Sequence, residues 1–189
     1  MRQFNSIFVS TVPRTGSMWT NNVTREIFNL KKLKVLPISQ LISDQEWLNY
    51  YQSNVLFDNT QSNRYVLKIH GKLTKIPPRS KIVTTIRNPY DICASYHQFM
   101  KSDLVKSISV AESIISFLDH YKNLSSEILI IKYEEIETQP EKLIKKLASY
   151  CELSLSDYEI SLICNKYKKK EIKKIIDNND LNAKQYDKS

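Results

Sequence analysis

Hydrophobic and polar positions along the chain follow two alternating periods. Short apolar, β-branched runs at Ser6–Thr11, Tyr65–Ile69, Lys81–Ile86 and Ile128–Ile131 predict buried strands. Between them, apolar residues three and four apart predict helices over about Ser17–Leu30, Asn88–Met100, Val110–Tyr121, Pro140–Tyr150 and Ser156–Lys170. Asn88 followed by Pro89 is a well-formed helix start, a capping side chain before a residue that needs no N–H partner. Residues 31–60 carry no clear period, although Trp47, Leu48, Tyr50 and Tyr51 point to a short helix beside a substrate region. Strands alternating with helices predict a P-loop-type α/β fold, three layers with a central, mostly parallel sheet flanked by helices. In such sheets ligands bind beyond the carboxyl ends of the strands. No repeat or low-complexity linker interrupts the pattern, so a single domain is expected over residues 1–189, with a polar tail from about 177.

Composition narrows the ligand. With 41% hydrophobic and 25% charged residues the chain has the makings of a packed core, which excludes wholesale disorder. It contains only two glycines, so a phosphate cradle with several glycines is excluded and any anion loop must be built on one. The net charge of +8 suits a polyanionic ligand, but equally nucleic acid or an acidic membrane surface. Cys93, Cys151 and Cys164 lack metal or redox spacing and read as reduced thiols, as in a cytoplasmic protein. The first strand follows closely on Met1 with no long apolar stretch, so neither a signal peptide nor a membrane span is expected.

Candidate chemistry sits where the strands end. After the first comes Pro13-Arg14-Thr15-Gly16-Ser17-Met18-Trp19. Unpaired N–H groups at a helix start attract an anion, one glycine lets it approach, Thr15 and Ser17 add hydroxyls, and Arg14 adds a fixed cation. No lysine follows the glycine as it does in a Walker A loop, which disfavours an ordinary ATPase or kinase. Taken alone, the segment also fits a plain strand-to-helix turn capped by Ser17. Arg87 ends the third of these strands, with Ser95 two helical turns on; alone, Arg87 could simply pair with Asp91. Lys68 and His70 end the second and share a side by strand alternation. A histidine there can take a proton, with a neighbouring ammonium to keep it neutral. His97 and His120 have no such pattern and are expected to be structural.

The three segments together resemble the PAPS-dependent sulfotransferase family, whose donor is 3′-phosphoadenosine-5′-phosphosulfate. Pro13 to Trp19 is similar to its Pro-Lys-Ser-Gly-Thr-Thr-Trp loop, except that Met18 stands where the family usually has a second hydroxyl. Arg87-Asn88-Pro89-Tyr90-Asp91 through Ser95 resembles its Arg-Asn-Pro-x-Asp segment, and Lys68-Ile69-His70 its Lys-x-His. Tyr133, in Lys132-Tyr133-Glu134, resembles a tyrosine that reaches the adenine.

The resemblance implies that residues 14–18 hold the 5′-phosphosulfate, that Trp19 and Tyr133 contact the base, and that Arg87 and Ser95 hold the 3′-phosphate. It further implies His70 as general base, assisted by Lys68 and Arg14, with PAP as product nucleotide and no metal. The expected acceptor is a small molecule or glycan offering a hydroxyl or amine, and no nucleic acid. The family's Arg-Lys-Gly and Gly-x-x-Gly-x-Trp segments are missing, and a lysine-rich run over 166–174 stands in that region. A magnesium-dependent kinase with a variant phosphate loop, a nucleotide-binding module without turnover and a nucleic-acid binder remain alternatives.

Overall fold

The computed structural model describes residues 4–38, 43–125 and 127–168. Among these, five parallel strands stand in the order β2-β3-β1-β4-β5: β1 (Ser6–Ser10), β2 (Lys34–Leu36), β3 (Asn63–Ile69), β4 (Ser80–Ile86) and β5 (Leu129–Lys132). The helices are α1 (Ser17–Leu30), α2 (Asp44–Tyr50), α3 (Pro89–Met100), α4 (Leu104–Leu124), α5 (Tyr133–Thr138), α6 (Pro140–Tyr150) and α7 (Asp157–Lys166). A π-helical turn, Tyr51–Val55, continues α2. This is the three-layer α/β architecture the hydrophobic pattern predicts.

The layers follow from strand alternation. β1 is central and buried on both faces, which is why it is apolar throughout its middle. Ile7 and Val9 face one layer, where Val23, Ile27 and Phe28 of α1 meet Ile144 and Leu147 of α6 and Ile163 of α7. Phe8 faces the other, with Leu67 and Ile69 of β3 against Trp47, Ile92, Phe117 and Tyr121. In α1 the buried positions Thr20, Val23, Thr24, Ile27 and Phe28 keep the spacing of one helical face. From β1 the chain runs out to the β2 edge, returns through β3, then crosses to β4 on the other side of β1. That reversal opens a crevice at the carboxyl ends of β1, β3 and β4.

Several boundaries differ from the sequence expectation. β2 and α5 are too short to display a period. α4 begins at Leu104 rather than near Val110, because the Asp103 side chain caps it by accepting the Lys106 N–H at 2.7 Å. α7 ends at Lys166, and the lysine run beyond residue 168 and the polar tail lie outside the described residues. No helix of the described residues is long and apolar enough to cross a membrane. The cysteines are free, and burial pushes the Cys151 thiol up to about 12, which leaves it inert. His120 Nε2 meets the Leu73 carbonyl at 2.7 Å.

Asp58 ties the loop before β3 to that strand. Its carboxylate accepts the Thr60 N–H and hydroxyl, the Asn63 amide and the Tyr65 hydroxyl, at 2.7 to 2.9 Å. Burial pushes its pKa up, but these donors outweigh burial and hold it well below the usual carboxylate range. A depressed carboxylate contributes stability above its unfolded value, about 4, and loses it as pH falls toward the folded value. Asp58→Asn is therefore expected to lower stability at pH 7 by about 1–2 kcal/mol, with the gap to the unmutated chain closing below about pH 4 in denaturant titrations. Phe28→Ala, which empties a fully buried site between sheet and helices, is expected to cost about 3–5 kcal/mol in the same measurement.

Candidate active site

The loop after β1 turns twice through the left-handed region, at Arg14 (φ 67°) and Gly16 (φ 102°). Gly16 has no substitute. A Cβ there would lie 2.6 Å from Cδ1 of Ile136 and 3.3 Å from Cδ2 of Tyr133. α1 then starts with no side-chain cap and no acidic residue in its first turn. Its leading N–H groups and positive dipole end are thus offered to an anion.

Thr15 does not offer a ligand the hydroxyl expected of it. Thr15 is fully buried, its hydroxyl donating to the Val12 carbonyl at 2.7 Å and accepting from the Thr85 hydroxyl at 2.5 Å. The side chain fastens the loop to β4 and has no hydroxyl left for a ligand. Ser17, by contrast, faces the cavity, and it is Gly16 rather than Ser17 that occupies the helix cap position.

The two arginines are tethered to each other's segments. Arg14 Nε donates to Ser95 Oγ at 3.0 Å, and its guanidinium lies 4.0 Å from the Phe99 ring centre. Arg87 Nη1 donates to the Arg14 carbonyl at 3.1 Å and stacks on Tyr133 at 4.0 Å. Asp91 stays 3.9 Å from Arg87 Nε, beyond hydrogen-bond reach. Asn88 starts α3 as expected, its side chain accepting the Tyr90 N–H at 2.9 Å.

His70 Nδ1 lies 2.9 Å from the Thr11 carbonyl. A carbonyl only accepts, so Nδ1 carries the proton and Nε2 of the neutral ring keeps its lone pair. Burial lowers the His70 pKa and the Lys68 charge lowers it further, against the opposing pull of the Thr11 carbonyl and Asp44. Lys68 is buried, and burial lowers its pKa too. Its ammonium donates to the Met18 sulfur at 3.2 Å.

A cavity of about 420 Å³ brings most of these groups together: Arg14, Gly16, Ser17, Met18, His70, Arg87, Ser95 and Tyr133 line it, with Pro13, Tyr96 and Met100. None of these lining residues is a carboxylate. Thr15, Lys68 and Trp19 are not on the wall. Trp19 instead lines a second cavity of about 450 Å³, with Ile136, Pro140, Tyr167 and Lys168, and Tyr133 is common to both. Sequence patterns gave no hint of Tyr96 and Met100 as wall residues, or of Asp44, whose carboxylate accepts the His70 N–H at 2.9 Å. A Ser43-x-x-Glu46 capping pattern could have located the helix that carries Asp44, though not its contact with His70. No group of three or more His, Cys, Asp or Glu suited to a metal occurs among the described residues.

This arrangement can bind a polyanion against two guanidinium groups and an open helix start, and can accept a proton at one imidazole nitrogen. The chain is 23% identical over 188 residues to sulfotransferase 1B1 of Mus musculus, covering 83% of this chain and 62% of that protein. It is 23% identical over 184 residues to the amine sulfotransferase of Oryctolagus cuniculus, covering 84% and 60%. It thus spans about three-fifths of the length of these relatives. Similar solved structures include a mouse sulfotransferase complexed with PAP, at TM-score 0.61 and 18% identity, covering 89% of this chain and 66% of that one. Another is retinol dehydratase in complex with androsterone and inactive cofactor PAP, at TM-score 0.63 and 16% identity, covering 89% and 65%. These structures have the same fold. The sequence model of the sulfotransferase domain matches residues 4–188, and the chain belongs to that family.

Proposed function

We propose that the chain transfers a sulfuryl group from PAPS to a hydroxyl or amine of a small-molecule acceptor, with His70 as general base. The observation that carries this reading is a cavity without a carboxylate, in which two arginines and an uncapped helix start face a histidine whose Nε2 is held unprotonated. The donor's chemistry fits those groups. Its phosphates match Arg14, Arg87 and the first turn of α1, and the Trp19–Tyr133 cavity has room for a purine on an aromatic wall.

When bound, PAPS supplies an electrophilic sulfuryl group attached to a phosphate leaving group. His70 Nε2 takes the acceptor proton as the acceptor oxygen or nitrogen forms its bond to sulfur and the bond from sulfur to the 5′-phosphate oxygen breaks. Arg14 and the N–H groups opening α1 receive the charge left on that oxygen, fixed dipoles and cations needing little rearrangement. Arg87 and Ser95 hold the 3′-phosphate. Lys68, behind Met18, adds positive potential and helps keep His70 neutral. The amine option draws support from the relative named an amine sulfotransferase. An apolar acceptor is supported by Tyr96 and Met100 on the wall, and by the retinol and androsterone in the retinol dehydratase structures.

Calorimetry of PAP beside ATP and AMP tests the donor site. Binding that needs the 3′-phosphate is expected, weakened about 10- to 100-fold by Arg87→Ala, the loss of a charged hydrogen bond. No binding, or equal binding of ATP, would sink this reading and favour the kinase. His70→Ala is expected to leave PAP affinity unchanged while lowering kcat about 10²- to 10⁴-fold. Because burial holds the His70 pKa of the free protein below the ordinary histidine value, kcat/KM should hold through mildly acidic pH and fall only below that value; a kcat/KM midpoint above it would exclude His70 as the base. Turnover is expected to survive excess EDTA, whereas a kinase would stop.

A further inference from the structure

We propose that Asp44 is a positioning residue for His70: its carboxylate, reaching from the first turn of α2 to the backbone N–H groups of His70 and Gly71, holds the imidazole in place and supplies the negative charge that balances Lys68. The proposal rests on the reading of His70 as the base.

The geometry is that of a clamp. Asp44 Oδ1 and Oδ2 lie 2.9 and 3.0 Å from the His70 nitrogen, and Oδ2 lies 2.5 Å from the Gly71 nitrogen. Hydrogen bonds to an ionised acceptor are roughly twice as strong as neutral ones. Gly71 makes the approach possible, since a Cβ there would stand 3.0 Å from Asp44 Oδ2. The corner is also held from behind. Ser10 Oγ donates to the Gly71 carbonyl at 2.7 Å and accepts from the Tyr121 hydroxyl at 2.5 Å, and that hydroxyl accepts the Leu73 N–H at 3.0 Å. With Nδ1 fixed on Thr11, the ring and its peptide are tied at four places.

Position alone does not require a carboxylate, because a neutral acceptor could take the same N–H bonds. Charge does. His70 faces Lys68 on its own strand, Asp44 from α2, and Arg14, Tyr96, Arg87 and Tyr133 around the shared cavity. Among these the cations outnumber the carboxylate, and burial adds to their effect. A base driven too far down takes up a proton weakly, and an ammonium driven down loses the charge that makes it useful. Asp44 opposes both, raising His70 and raising Lys68. An acid serving only the dipole of α2 would have no reason to meet the peptides that follow β3.

Asp44→Asn separates the two roles, keeping an acceptor oxygen and removing the charge. The chain has three histidines, so NMR titration of the imidazole Cε1–H resonances, assigned with His70→Ala, follows His70 in the whole protein without ligand. The expected result is a His70 midpoint lower by about half a unit to one unit in Asp44→Asn. In turnover, kcat should fall about tenfold with KM for PAPS unchanged, and the acid limb of the pH profile should move down with the titration. Asp44→Glu should recover part of both. An unmoved His70 midpoint overturns the proposal, as does a lowered kcat with an unmoved acid limb, the mark of a purely structural role. Should Asp44→Asn not fold, Gly71→Ala displaces the carboxylate without removing it; the same downward shift is expected, and its absence is equally fatal. PAP calorimetry on the same samples keeps the two ideas apart: failure of the unmutated chain to bind PAP would defeat the sulfotransferase reading and leave the titration to decide the role of Asp44.

Discussion

The open start of α1 is the constraint around which the rest of the site is built. Helix N–H groups without a cap must find an acceptor, and neither a side-chain cap nor a first-turn acid supplies one here. Satisfying them with an exogenous anion requires a loop that brings the anion in close and cannot collapse onto the helix. Gly16, pressed against Ile136 and Tyr133, gives the close approach. Thr15 prevents collapse by spending its hydroxyl on Val12 and Thr85. Everything lining the cavity then obeys one rule of sign, cationic or neutral.

The cations are fixed before any ligand arrives. Arg87 bonds the Arg14 carbonyl and stacks on Tyr133, and Arg14 bonds Ser95 and stacks on Phe99, so the ends of β1, β4 and β5 are bound together through guanidinium groups. Arginine suits this better than lysine, since its planar fork can stack and donate at once. Met18 belongs to the same design. Its thioether accepts the Lys68 ammonium while the side chain also lines the cavity. Lys68 consequently lies behind the wall rather than on it.

Chemistry carried by strand ends was legible in the sequence because the strands themselves were. A parallel sheet puts the residues after β1, β3 and β4 at one edge, so Arg14, His70 and Arg87 could be brought together from the sequence, whereas Tyr133 was reached through the family resemblance. The limits of α1 were legible too, from its periodic buried face. Side-chain direction inside the loop was not, because the positive φ at Arg14 and Gly16 turns Thr15 inward. β2 escaped notice at three residues, too few to show alternation. Asp44 escaped for a different reason: its meaning lies in a contact between α2 and the end of β3, and no local pattern carries it.

That contact answers a conflict the cavity creates. Excluding carboxylates favours a polyanionic ligand, but His70 and the buried Lys68 beside the cavity are both depressed, chiefly by burial. A carboxylate on the wall would restore them and repel the ligand. Asp44 is off the wall, joined to His70 through the peptide N–H rather than the ring. Coulomb interactions fall slowly enough with distance for it to act on both groups from there. A negative charge displaced by one peptide unit raises both His70 and Lys68 without placing a carboxylate on the cavity wall.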